Sequence, residues 1–151
     1  RAGRDIPISV VAELAKHPQV VSIKEAGGSV DRVSQILNVC DIEVLSGDDS
    51  LTFPMMSLGA VGVISVASNI APAPVSQLVA HALAGRWNEA RALHFQYYSL
   101  FNDLFLDTNP VPVKAALAMM GKIEESYRLP LAPMTDELKA KLRKTMTSVG
   151  L

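Results

Sequence analysis

Through its first 84 residues the chain alternates between segments of helical period and short apolar runs, and this alternation restricts its possible folds more than any other feature. Residues 6–17 read as a helix, with Asp5 or Ser9 as its cap, Pro7 in its first turn and Val10, Val11, Leu14 and Ala15 on one face. Val20-Val21-Ser22-Ile23-Lys24-Glu25-Ala26 follows as a strand. Ser29 or Asp31 caps a second helix, and residues 42–46 form a second strand. A short helix carries Phe53, Met55, Met56 and Leu58, with the methionines read as core. Val63-Ile64-Ser65-Val66 is the third strand, and residues 74–83 the next helix. Strands that alternate with helices make βα units and a parallel sheet.

In such a sheet the C-terminal strand tips lie on one face, which is where a parallel barrel keeps its chemistry. The three tips are Lys24, then Gly47-Asp48, then residues 65–69. A lysine after a strand is ordinarily a solvated loop residue. At the tip of a barrel strand it is expected to be partly desolvated, which favours the neutral amine, and a neutral amine can form a Schiff base with a ketone. No Gly-x-Gly-x-x-Gly or Gly-x-x-x-x-Gly-Lys pattern follows any strand, which excludes dinucleotide and P-loop readings.

Composition narrows the remaining classes. Among 151 residues, 49% are hydrophobic and 19% charged, enough apolar material for a sizeable core. The formal net charge of -1 comes from mixed signs with no basic patch, so neither nucleic acid nor a membrane surface is an expected partner. Cys40, the one cysteine, reads as a packed thiol in a reducing compartment, and a cytoplasmic location is expected. His17, His81 and His94 are far apart and suggest no metal site. No signal peptide or membrane span is apparent. From Gly85 the pattern turns helical throughout, with an aromatic group of Phe95, Tyr97, Tyr98, Phe101 and Phe105 expected in the core or at a subunit contact. Residues 1–84 are therefore read as the barrel part and 85–151 as a C-terminal helical region.

Five motifs in order carry a resemblance to a known family: Ile23-Lys24-Glu25-Ala26, Ser46-Gly47-Asp48-Asp49, Gly62-Val63-Ile64-Ser65-Val66, Asn109-Pro110-Val111-Pro112-Val113-Lys114 and Arg128-Leu129-Pro130-Leu131. In these the chain resembles dihydrodipicolinate synthase, of the Schiff-base lyases that share a (β/α)8 barrel with N-acetylneuraminate lyase. The resemblance implies an α/β fold: the last three strands of a TIM barrel, followed by a helical C-terminal region. It implies that Lys24 forms a covalent imine with pyruvate, with no separate cofactor and no metal. It further implies that Arg1 holds the carboxylate of aspartate semialdehyde, for which a guanidinium fork is suited. Gly47 and Asp48 would line the same pocket, and the backbone of Ile64 would lie against bound pyruvate. Ala2 stands where the family usually has threonine. The implied product is 4-hydroxy-tetrahydrodipicolinate, in lysine and diaminopimelate biosynthesis, and the implied assembly is a homotetramer.

The resemblance covers only the second half of the family's barrel. Its paired threonines and two catalytic tyrosines are expected ahead of Arg1, on the same polypeptide or a companion chain, together with the other barrel strands. Val21, Ile23, Val44 and Val63 are expected to face those strands. Two other readings fit the sequence: a related pyruvate-dependent aldolase acting on a sugar acid, which would keep Lys24 without needing Arg1, and a non-catalytic barrel fragment.

Overall fold

The structure is a computed structural model and describes residues 4–151. Its elements run α1 (Ile8–Leu14), β1 (Ser22–Glu25), α2 (Asp31–Leu37), β2 (Glu43–Ser46), α3 (Thr52–Ser57), β3 (Gly62–Val63), α4 (Pro72–Leu83), α5 (Trp87–Asp103), α6 (Val111–Met119) and α7 (Asp136–Ser148). Single 3-10 turns cover Asp49–Leu51 and Ala67–Asn69. The three strands form one parallel sheet in the order β1-β2-β3. This is the expected α/β arrangement of barrel strands followed by helices.

Strand periodicity sets the two faces of the sheet. Ile23 pairs with Val44 and Glu25 with Ser46, and this set looks toward the helices. Val44 and Ser46 are fully buried there, and Val44 shares a hydrophobic cluster with Val33 and Ile36 of α2. Burying each aliphatic side chain of this layer contributes roughly 2 kcal/mol. Ser22 pairs with Glu43 and Lys24 with Leu45 on the opposite face, and Gly62 joins them beside Leu45. The expectation that Val44 faces outward with Val21, Ile23 and Val63 is therefore corrected. Val44 belongs to the helix side, as do its register mates Ile23 and Val63, both half-buried, and Val21 precedes β1 and is exposed.

β3 is shorter than expected. Its last ladder bond runs from the Ile64 N–H to the Ser46 carbonyl at 2.7 Å. Beyond it the N–H groups of Val66 and Ala67 turn to the carboxylate of Asp49, and the chain curls into a 3-10 turn instead of continuing as a strand. The helix starts also differ. Neither Asp5 nor Ser9 caps α1, and α2 begins after Val30 without a side-chain cap. Thr135 does cap α7, its hydroxyl accepting from the Leu138 N–H.

One hydrophobic cluster runs from α1 and α2 through Met55 and Met56 to Leu100, Leu104, Ala116 and Leu142 in the helical region. The methionine pair is thus core. Gly85, at φ 71°, ends α4 in the left-handed region and lets α5 fold back against it. Within the aromatic group of α5 only Phe101 is fully inside, whereas Phe95 is 68% exposed. Asp103, near the end of α5, accepts from Thr145 of α7 at 2.6 Å and ties those two helices. No helix among the described residues is long and apolar enough to cross a membrane.

Candidate active site

Lys24 occupies the expected position near the C-terminal end of β1, on the face away from the helices. Among the described residues it is exposed, so these residues do not supply the desolvation expected for it. Two neighbours shape its surroundings. The backbone of Gly47 lies beneath its stem: a Cβ there would come within 2.5 Å of Lys24 Cε and would also collide with Ala26 Cβ. The Gly47 N–H meanwhile donates to the Glu25 carbonyl at 2.7 Å. Glycine is needed here for close approach.

Glu25, next to Lys24, is buried on the helix side. Its carboxylate accepts from the Gly27 N–H at 2.7 Å and from Arg32 Nε at 2.9 Å. Arg32 also donates to the carbonyl of Ile6 at 3.0 Å. One guanidinium thus joins α2, the β1 tip and the segment ahead of α1. A cleft of about 230 Å³, lined in part by Arg4, Asp5, Lys24 and Arg32, lies over this junction.

The second tip is built by short-range bonds. Ser46 Oγ donates to the Asp48 carbonyl at 2.8 Å, and Thr52 Oγ1 donates to the same carbonyl at 2.9 Å. Ser50 donates to Asp48 Oδ1 at 3.1 Å. Asp49 is buried and turns to the third tip, accepting from the Ser65 hydroxyl and from the N–H groups of Val66 and Ala67. Burial raises the carboxyl of Asp49 above its usual range, against the lowering effect of these bonds. Ile64 stands between β3 and this turn and is 48% exposed.

The structure thus brings Lys24 and Gly47 into contact, with Asp48 next along the loop and Ile64 bonded to Ser46 on the neighbouring strand. Arg1 lies outside the described residues. Sequence reasoning missed the supporting groups Glu25, Arg32, Asp49 and Ser65. Among the described residues no cluster of His, Cys, Asp and Glu could hold a metal ion. A larger groove of about 600 Å³ lies between α5 and α7, lined by Tyr98, Asp103 and Lys141 among others and by none of the strand-tip residues.

The sequence pattern of the dihydrodipicolinate synthetase family matches residues 1–149. The chain belongs to this family. As a dihydrodipicolinate synthetase family member, it is 47% identical to the 4-hydroxy-tetrahydrodipicolinate synthase of Koribacter versatilis, over all of this chain and 51% of that protein. Its fold matches the 4-hydroxy-tetrahydrodipicolinate synthase of Methylacidiphilum fumariolicum SolV with a TM-score of 0.96 at 51% identity, over 99% of this chain and 51% of that one. It also matches the chloride-inhibited dihydrodipicolinate synthase of Acinetobacter baumannii, described as complexed with pyruvate, with a TM-score of 0.95 at 38% identity, over 99% of this chain and 52% of that one. The chain spans about half the length of the family members it matches, and corresponds to their C-terminal half.

Proposed function

We propose that this chain supplies the imine-forming lysine of a synthase that condenses pyruvate with aspartate semialdehyde to 4-hydroxy-tetrahydrodipicolinate. The observation that carries this reading is Lys24 at a parallel-strand tip, its stem seated over Gly47, in a chain of the dihydrodipicolinate synthetase family. The Lys24 amine would attack the pyruvate ketone, and loss of water would give the imine. The imine withdraws electrons from the neighbouring methyl group, which loses a proton to give an enamine. The enamine carbon then attacks the aldehyde, whose oxygen takes up a proton; the amino group of the same substrate attacks the imine carbon, closing the ring as the C–N bond to Lys24 breaks and returns the amine. Gly47, Asp48 and the Ile64 backbone would line the pyruvate pocket, and Arg1 would bind the carboxylate of the second substrate. The partners of this chain would be those two substrates, the other strands of the barrel and further copies in a tetramer. Exposed Leu83, Phe95 and Tyr98 support assembly, and the single cysteine supports a cytoplasmic location.

The test is reductive trapping. Borohydride in the presence of pyruvate should leave a pyruvate-derived mass on Lys24 of the intact protein that carries this chain. Lys24→Ala and Lys24→Arg should both abolish it, since a guanidinium stays protonated. Turnover by either variant at the normal rate would refute the assignment. Trapping with pyruvate but turnover only with a sugar-derived aldehyde would mark an aldolase, and no trapping would mark an inert barrel fragment.

A further inference from the structure

The loop after β2 meets Lys24 at one end and the turn after β3 at the other. At its start Gly47 lies beneath the Lys24 stem. Two residues later Asp49, 3% exposed, accepts from the Ser65 hydroxyl through Oδ1 and from the Val66 and Ala67 N–H groups through Oδ2 at 3.0 Å each. Ser65 Oγ accepts in turn from the Ser68 N–H at 2.8 Å. The Ile64 N–H is bound to the Ser46 carbonyl at 2.7 Å. The peptide unit joining Ile64 to Ser65 thus lies between two anchored neighbours: the Val63–Ile64 amide, bonded to the end of β2, and the Ser65–Val66 amide, bonded to Asp49.

The choice of a carboxylate for this task is informative. Burying it raises its proton affinity, a cost that an amide of the same shape would avoid. Asparagine, however, offers one acceptor oxygen where aspartate offers two. Only the carboxylate can take the hydroxyl on one oxygen and both N–H groups on the other. The arrangement favours a fixed geometry over minimum cost, and what it fixes is the turn that directly follows Ile64.

We propose that Asp49 and Ser65 are positioning residues for the pyruvate site, which set the Ile64–Ser65 peptide unit relative to the Lys24 amine. This rests on the reading of Lys24 as the imine-forming amine. Neither residue touches the reacting atoms; each acts through the backbone that does. Displacement of such a group by about 1 Å can cost on the order of a hundredfold in rate.

The experiment titrates pyruvate against borohydride trapping on the intact protein and reads the adduct on Lys24 by mass spectrometry. Absence of an adduct in the unaltered protein would remove the Lys24 reading and this inference with it. Given that adduct, Asp49→Asn and Ser65→Ala should raise the pyruvate concentration for half-maximal trapping about tenfold or more. Ser65→Thr, which keeps the hydroxyl, should restore capture. The denaturation midpoint of Asp49→Asn should stay close to that of the unaltered protein. Unchanged capture by Asp49→Asn would overturn the proposal. So would a loss of capture that follows a loss of folding stability across the variants and that Ser65→Thr fails to repair.

Discussion

Arg32 on α2 holds the carboxylate of Glu25, the residue next to Lys24, by a 2.9 Å bond from Nε. Both side chains are largely out of water, at 14% and 5% exposure. Removing one partner of such a pair leaves a buried charge uncompensated and costs roughly 3 kcal/mol. Arg32→Ala should therefore destabilise the intact protein by about that amount in chemical denaturation. The paired change Arg32→Met with Glu25→Gln should recover most of it. If Arg32→Ala alone leaves the midpoint in place, the pair is not structural.

Gly47→Ala tests the close approach at the Lys24 stem. The new methyl group would collide with Ala26 Cβ, which has no torsion with which to move away, and with Lys24 Cε. Overpacking of this kind costs about 1–3 kcal/mol. The expected result is a lowered denaturation midpoint together with weaker pyruvate trapping on Lys24. A variant with unaltered trapping would show that the amine does not depend on this contact.

His94 gives a pH prediction. Its ring stacks on Phe53 with centroids 5.4 Å apart, and among the described residues its buried Nδ1 has no hydrogen-bond partner. Burial lowers its proton affinity, so the fold prefers the neutral ring. The stability that this preference contributes is fully present above the unfolded value of about 6.5. It is lost as pH falls through the lower folded value. His94→Phe should flatten the fall in stability that sets in below about pH 6.5. Superimposable profiles for the two proteins would assign the acid sensitivity to other groups.

Much of the fold was legible because its signals are local. Four-residue strands of alternating burial and helices with apolar stripes can be read from neighbours in sequence, so Lys24 and Gly47 were found at their tips. The features that escaped depend on distant partners. β3 stops at Val63 because Asp49 draws the Val66 N–H away from the sheet, a bond between residues 17 apart in sequence. Glu25 and Arg32 are seven residues apart on different elements, and no periodicity marks a charge pair of that kind. The starts of α1 and α2 were misplaced because neither uses the side-chain cap that marks α7. The aromatic group of residues 95–105 was expected in the core or at a subunit contact, and composition alone does not divide it into buried Phe101 and exposed Phe95.

The alternation of faces along β1 also limits how the gene can change. Ser22 and Lys24 project to one side of the sheet, and Ile23 and Glu25 to the other. Deleting one codon between Pro18 and Ser22 while the strand keeps its place beside β2 would exchange the two sets. Glu25 would then stand on the open face, and the lysine would be driven into the helix layer. Deleting two codons would return a lysine-bearing face to the open side, displaced by one pleat. A one-residue slip of this strand against β2 is therefore excluded, and any length change ahead of it has to be taken up in residues 18–21 without shifting the register.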